Sequence, residues 1–216
     1  MARPVPDYKY GDARTSESHG YLISEVLRAL GRIDWGSGGK RVFEIGCGNG
    51  SVAHALSHHG YEVIGVDASP SGIAQAKRAF PELSLHVGSA YDPLAARYGT
   101  FQAVLSLEVI EHLYAPRDFV RGAFDLLEPG GTLLVSTPYH GYLKNLALAV
   151  CGAMDRHFTA LWDGGHIKFF SMRTLSALLN EVGFVNINYA RVGRVPPLAK
   201  SMVATAQKPP ATTLRC

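Results

Sequence analysis

Three side chains near the middle of the chain carry its densest chemistry. Glu108, Glu111 and His112 form an E-x-x-E-H run. If a helical turn begins at Glu108, the three stand at i, i+3 and i+4 and share one face. Two carboxylates and an imidazole converging on one point could bind a divalent cation. The oxygen-rich set suits Mg²⁺ or Mn²⁺, and its one nitrogen leaves Zn²⁺ open. A plainer reading competes, in which Glu108 caps nearby backbone amides and His112 packs or touches substrate. A second constellation lies upstream. The apolar run 42–45 ends in glycines at alternate positions, Gly46, Gly48 and Gly50, with Cys47 inside the turn. Glycines let the backbone turn sharply and let a ligand approach where a Cβ would collide. The helix that follows offers unpaired N–H donors at its start. A dinucleotide site wants G-x-G-x-x-G. Here the third glycine comes one residue early, and Ser51 stands where that pattern wants glycine. Cys47 reads as a small filler rather than a nucleophile.

Strand ends must hold these residues. Apolar runs at 42–45, 61–66, 83–87, 101–107, 132–137, 184–192 and 202–208 read as strands. Helices are expected at 18–30, 51–59, 69–80, 116–127 and 171–182. Ser69 is the N-cap of the third, with Pro70 at its first helical position. Ser171 caps the last, and Gly183 ends it. The alternation predicts an α/β fold: a doubly wound, mostly parallel, Rossmann-like sheet of seven strands with helices on both faces. The E-x-x-E-H run directly follows the fourth strand, and such sheets bind ligands outside the carboxyl ends of their strands. His54 and His58 share a face of the helix after the glycine turn. That spacing could hold a metal, but a solvated face is the reading adopted, because this half of the helix points away from the turn. The stretch 139–154 is apolar but broken by Gly141 and Gly152, and 155–168 is rich in aromatic residues and histidine. Residues 1–7 read as loose and 209–216 as a frayed tail.

The 216 residues suit one domain, 1–216, with a proper core. A net charge of +3 is too small to imply nucleic acid or a membrane. The expected partner is a small-molecule acceptor, with RNA ranked behind it and DNA excluded. Three cysteines give no disulfide framework. No apolar run is long enough to span a bilayer, and the first residues lack a signal-peptide core. A cytoplasmic enzyme is the default expectation. The segment 195–200, apolar with basic flanks, could at most touch a membrane surface; packing on the sheet edge or in a dimer contact is the preferred reading.

The E-x-G-x-G-x-G pattern from Glu44 to Gly50, Asp67 at the end of the second strand, and the L-x-P-G-G of Leu127, Pro129, Gly130 and Gly131 together resemble the class I S-adenosylmethionine-dependent methyltransferases. The E-x-x-E-H run, Ser136-Thr137-Pro138 and Gly164-Gly165-His166 narrow the resemblance. They are similar to segments of the ubiquinone-biosynthesis O-methyltransferases and the small-RNA 3′-terminal 2′-O-methyltransferases. The resemblance covers about 41–183. It implies S-adenosyl-L-methionine as cofactor, with Glu44, Gly46, Cys47, Gly48 and Gly50 around its methionine part. Asp67 would accept hydrogen bonds from both ribose hydroxyls, with Ala68 and Leu107 beside the cofactor. Backbone groups near Ser89 and Ala90 would hold the adenine. Two departures from the family are the missing acid near Ser89 and Gln102 where many relatives carry Asp.

In the small-RNA enzymes the E-x-x-E-H segment and one later histidine hold a catalytic metal. The resemblance therefore implies Glu108, Glu111, His112 and His166 as one ligand set, and His112, His166 and Glu111 as the catalytic residues. It also implies an N-terminal cap helix (1–35) over the cofactor, with Tyr8, Tyr10, His19 and Tyr21 as candidate lining residues. The variable segment 138–170 would form a substrate lid, with His157, Phe158 and Trp162 over the acceptor and Tyr139, His140, Tyr142 and Lys144 along its wall. The expected reaction is O-methylation of a small catechol- or diol-like acceptor, either assisted by the divalent cation or, without metal, with His112 or His166 as general base. RNA ribose 2′-O-methylation by the same residues is the alternative, with Arg156, Lys168 and Arg173 as a phosphate groove. The small net charge and the lack of a basic stripe count against it. A non-catalytic cofactor-binding protein is the third reading.

Overall fold

The structure, a computed structural model, describes residues 17–158 and 160–211, with side chains from residue 20 onward. The expectations for Tyr8, Tyr10, the His19 side chain and Cys216 lie outside the described residues. Seven strands form one sheet: β1 (Arg41–Ile45), β2 (Glu62–Asp67), β3 (Ser84–Val87), β4 (Phe101–Ser106), β5 (Leu127–Pro138), β6 (Val185–Val192) and β7 (Ser201–Gln207). Their order is β3-β2-β1-β4-β5-β7-β6. The first five pair in parallel. β7 inserts between β5 and β6, antiparallel to both. The chain moves outward from β1 to β3 on one side, then returns to lay β4 against the other edge of β1. Sheets with such a reversal bind ligands outside the carboxyl ends of the strands that flank it, here β1 and β4.

The helices are α1 (Glu17–Leu30), α2 (Ser51–Ser57), α3 (Pro70–Ala79), α4 (Leu94–Tyr98), α5 (Pro116–Leu126), α6 (Tyr142–Val150), α7 (Met154–Phe158) and α8 (Met172–Val182). Strand side chains alternate between two cores. Phe43, Ile45, Leu133 and Val135 face one side, where they pack on Phe119 and Ala123 of α5 and on Leu175 and Leu179 of α8. Val42, Leu134 and Val203 face the other, against Leu22 and Val26 of α1, Val52 and Leu56 of α2, and Ile73 of α3. The caps expected from sequence are present. Ser69 accepts from the Gly72 N–H, and Ser171 forms a capping box with Thr174.

Some elements differ from the sequence reading. α4 was not expected, because five residues are too few to show a helical period. α2 stops at Ser57, two residues short of the expected end. β5 begins at Leu127 rather than Thr132, because Leu127 already pairs with Phe101 of β4. The helical face expected to align Glu108, Glu111 and His112 does not form. Only Ile110–His112 make a 3-10 turn, and Glu108 lies before it with φ +54°. The apolar stretch after β5 becomes α6 and α7, neither of which buries a side chain. Pro196–Leu198 form a 3-10 turn that leaves Val195 and Leu198 exposed. Among the described residues no helix is long and apolar enough to cross a membrane.

Candidate active site

β1 ends at Ile45, and the glycine turn carries the chain into α2 through three left-handed residues, Gly46 (φ +83°), Gly48 (φ +53°) and Gly50 (φ +78°). At Gly46 the need for glycine is steric as well as conformational: a Cβ there would lie 2.3 Å from Val109 Cγ2. The turn therefore touches the segment that follows β4. Ser106 Oγ reinforces this by donating to the Ile45 carbonyl at 2.9 Å. Asp67 closes the turn from β2, its carboxylate accepting from the Gly48 N–H at 2.8 Å and the Ser69 N–H at 2.7 Å. Cys47 is buried, and burial pushes its thiol well above the usual range, which suits the filler role expected of it. Glu44 is 1% exposed, and its Oε2 has no hydrogen-bond partner among the described residues. Burial, with the Asp67 charge adding to it, pushes the Glu44 carboxyl up to about 8. A buried carboxyl with no counter-charge is costly to ionise. A cationic ligand group beside it would relieve that cost.

Beyond β4 the two acids of the E-x-x-E-H run take different roles. The Glu108 backbone N–H donates to Ser136 Oγ at 3.0 Å. Ser136 Oγ in turn donates to Glu108 Oε1 at 2.7 Å, and Ser201 Oγ donates to Oε2 at 3.2 Å. Ser201 is also 3.3 Å from the Tyr21 hydroxyl, so the network ties β5, β7 and α1 to this turn. The network holds Glu108 in a backbone region that costs a non-glycine residue about 1 to 2 kcal/mol. Burial, opposed by these hydroxyls, pushes its carboxyl up to about 7.

Glu111 is 0% exposed, and neither of its carboxylate oxygens has a hydrogen-bond partner among the described residues. Burial, with Glu108 next to it, pushes its carboxyl well above the usual range. Its backbone carbonyl accepts from the N–H groups of Ile167 and Lys168 at 2.9 and 3.0 Å, and this pins the later loop against the turn. His166 is delivered in this way, its Nε2 3.9 Å from Glu111 Oε1. The His112 and His166 rings lie 4.8 Å apart. One ligand atom from each of Glu111, His112 and His166 falls within 4.8 Å of the others. Of the four expected ligands the structure brings these three together. Glu108 stays outside the group, because its oxygens are taken by Ser136 and Ser201.

The imidazoles are set up as lone-pair donors. His112 Nδ1 donates to the Gly164 carbonyl at 2.8 Å, which leaves Nε2 of the neutral ring to bind a cation or take a proton. Burial, then the neighbouring His112 and His157, lowers His166 to about 4. Trp162 packs edge-on to His112 and lies 5.7 Å from His166. A second aromatic group adjoins it. His140 stacks on Phe158 and meets Phe169 and His157 edge-on. Burial, with Lys144 second, lowers His140 to about 4. Of the expected wall residues, Tyr139 is buried in the core and Tyr142 points to solvent. Lys144 turns back to donate to the Tyr139 carbonyl at 2.9 Å.

A family model described as a methyltransferase domain matches residues 15–189. The chain belongs to this methyltransferase-domain family. Among similar proteins, a ubiquinone biosynthesis O-methyltransferase of Caulobacter sp. (strain K31) is 40% identical over 119 residues, covering 53% of this chain and 47% of that protein. One from Cereibacter sphaeroides is 36% identical over 152 residues, covering 67% of this chain and 60% of that protein. The chain thus spans about half to three fifths of the length of these relatives. A SAM-dependent methyltransferase of Archaeoglobus fulgidus superposes with a TM-score of 0.62 at 15% identity, over 87% of this chain and 93% of that one. At that identity the likeness is one of fold.

Sequence reasoning did not anticipate the Tyr21, Ser136 and Ser201 hydroxyls around Glu108, although Ser136 lay inside a quoted motif. Ser201 carried no signal, since it reaches the site only through strand pairing, and Tyr21, expected to line the cofactor or substrate, instead lies 3.3 Å from the Ser201 hydroxyl.

Proposed function

We propose that this methyltransferase domain transfers the methyl group of S-adenosyl-L-methionine to a hydroxyl of a small catechol- or diol-like acceptor, with a divalent cation held by Glu111, His112 and His166. The observation that carries the reading is Glu111, a fully buried carboxyl near the Thr137 hydroxyl whose oxygens lack a hydrogen bond of normal geometry among the described residues, grouped with the imidazoles of His112 and His166. A cation would satisfy all three at once, and an apolar neighbour would satisfy none. The bound cofactor supplies an electrophilic methyl, so the domain need not create one. A divalent cation supplies a lower pKa for a coordinated hydroxyl and fixes its position.

The remaining work falls to the chain's own residues. Gly46, Gly48 and Gly50 keep the turn free of side chains where the cofactor passes, with Cys47 filling the space beneath. Glu44 offers a carboxylate to the cofactor amine. Asp67 suits the ribose hydroxyls, Ala68 and Leu107 flank the cofactor, and Ser89 and Ala90 present backbone groups to the adenine. His112 would present its Nε2 lone pair to the cation, because its Nδ1 is already committed to the Gly164 carbonyl. His140, Phe158 and Phe169 form an aromatic cluster suited to a neutral aromatic ring.

The test is methyl transfer from labelled cofactor to catechol, to phenol and to an RNA 3′ end, with Mn²⁺ and with a chelator. Mn²⁺-dependent transfer to catechol, lost in Glu111→Gln and His166→Ala, is expected. Transfer that persists in chelator and in both variants would overturn the metal-assisted reading. Transfer to RNA alone would replace the small acceptor.

A further inference from the structure

Away from this crevice, the far end of α2 carries a second pair of ligating side chains. His54 and His58 are one helical turn apart, and their Nε2 atoms lie 3.1 Å from each other. Two imidazole nitrogens at that separation, each about 2.0 to 2.1 Å from one cation, would subtend about 100° at it. That angle lies between the tetrahedral and square-planar values, so the observed N–N separation suits one cation shared by both rings. The His54 ring is already fixed, stacked on Phe80 with centroids 4.0 Å apart and planes 16° apart. Its Nδ1 is buried without a hydrogen-bond partner among the described residues and sits 3.7 Å from Glu82 Oε1. A ligating histidine commonly directs its other nitrogen at a carboxylate, which fixes the tautomer and raises the ligand's basicity. Glu82 stands in that position. His58 is exposed and caps the helix, its ring edge-on to His54.

We infer that His54 and His58 form a surface site for a divalent transition-metal ion, with Glu82 orienting His54 and water or an anion filling the open positions. Two imidazoles and no oxygen ligand from the chain select Zn²⁺, Ni²⁺ or Cu²⁺ over Mg²⁺ and Mn²⁺. This separates the site from the one proposed at Glu111, and it does not depend on that proposal. The cation replaces the ring-to-ring N–H···N contact that the same geometry allows without it. It also braces the glycine turn, since Phe80 lies against both His54 and Gly50: a Cβ on Gly50 would be 3.4 Å from Phe80 Cδ2.

The test uses the full chain carrying Glu111→Gln and His166→Ala, so that the crevice cannot compete. Zn²⁺ titrated into it by calorimetry should bind at a single equivalent and raise Tm. Adding His58→Ala, which removes an exposed side chain and leaves the Phe80 stack intact, should weaken binding at least tenfold. Adding Glu82→Gln should weaken it by about tenfold, and His59→Ala should leave it unchanged. No saturable Zn²⁺ binding in the starting variant, or binding indifferent to His58→Ala, would overturn the inference and leave the two rings as a hydrogen-bonded pair.

Discussion

Replacing Glu44 by Gln should remove most of one specific pH dependence of stability. The carboxyl moves from an ordinary 4.5 to about 8 on folding, chiefly through burial. A group whose folded pKa is raised stabilises the fold at low pH and loses that contribution as pH rises through the folded value. At about 1.4 kcal/mol per pH unit, the Glu44 share lost between about pH 5.5 and about pH 8 is about 3 kcal/mol. Denaturant unfolding of the cofactor-free chain at these pH values measures it. Glu108 and Glu111 are raised in the same direction, so some slope remains in the variant. The expected result is a Glu44→Gln profile flatter than wild type by about that 3 kcal/mol, with the variant the more stable at high pH. Parallel profiles would refute the claim that Glu44 is buried without a counter-charge. The same carboxyl gives a ligand arm. If the cofactor amine pairs with it, S-adenosylhomocysteine should bind more tightly as pH rises towards 8, by up to about tenfold per unit, and Glu44→Gln should lose that slope.

Three further outcomes follow from the geometry. Gly46→Ala should cost about 1 to 3 kcal/mol and abolish S-adenosylhomocysteine binding, because its Cβ meets Val109 and its φ is +83°; adding Val109→Ala should recover part of the stability and not the backbone strain. Asp67→Ala leaves the Gly48 and Ser69 N–H groups without their acceptor, so unfolding should show a loss of about 1 to 3 kcal/mol together with weaker cofactor binding by calorimetry. Glu111→Gln puts an uncharged group of the same shape where burial raises the carboxyl's pKa, so unfolding of the metal-free chain should show little loss of stability, while Mn²⁺ binding disappears and catechol methylation falls at least a hundredfold.

The parts of the fold that local residue patterns encode were legible from those patterns alone. Apolar runs of strand length, Ser69 and Ser171 as caps, and glycines at positions 46, 48 and 50 each fix backbone conformation within a few residues, and each sits where its spacing places it. Asp67 was legible because it ends the strand next to that turn. Only the tertiary structure decided which side chains meet. Spacing put Glu108 on a face with Glu111 and His112, but Ser136 on β5 and Ser201 on β7 captured its carboxylate and turned its backbone left-handed. The Ile167 and Lys168 amides on the Glu111 carbonyl brought His166 to the remaining pair. An i,i+4 interval allowed His54 and His58 to meet, and the stack on Phe80 fixes the plane of the His54 ring. Side-chain direction depends on rotamers that distant elements select through burial and hydrogen bonding, and no local pattern of residues encodes those partners.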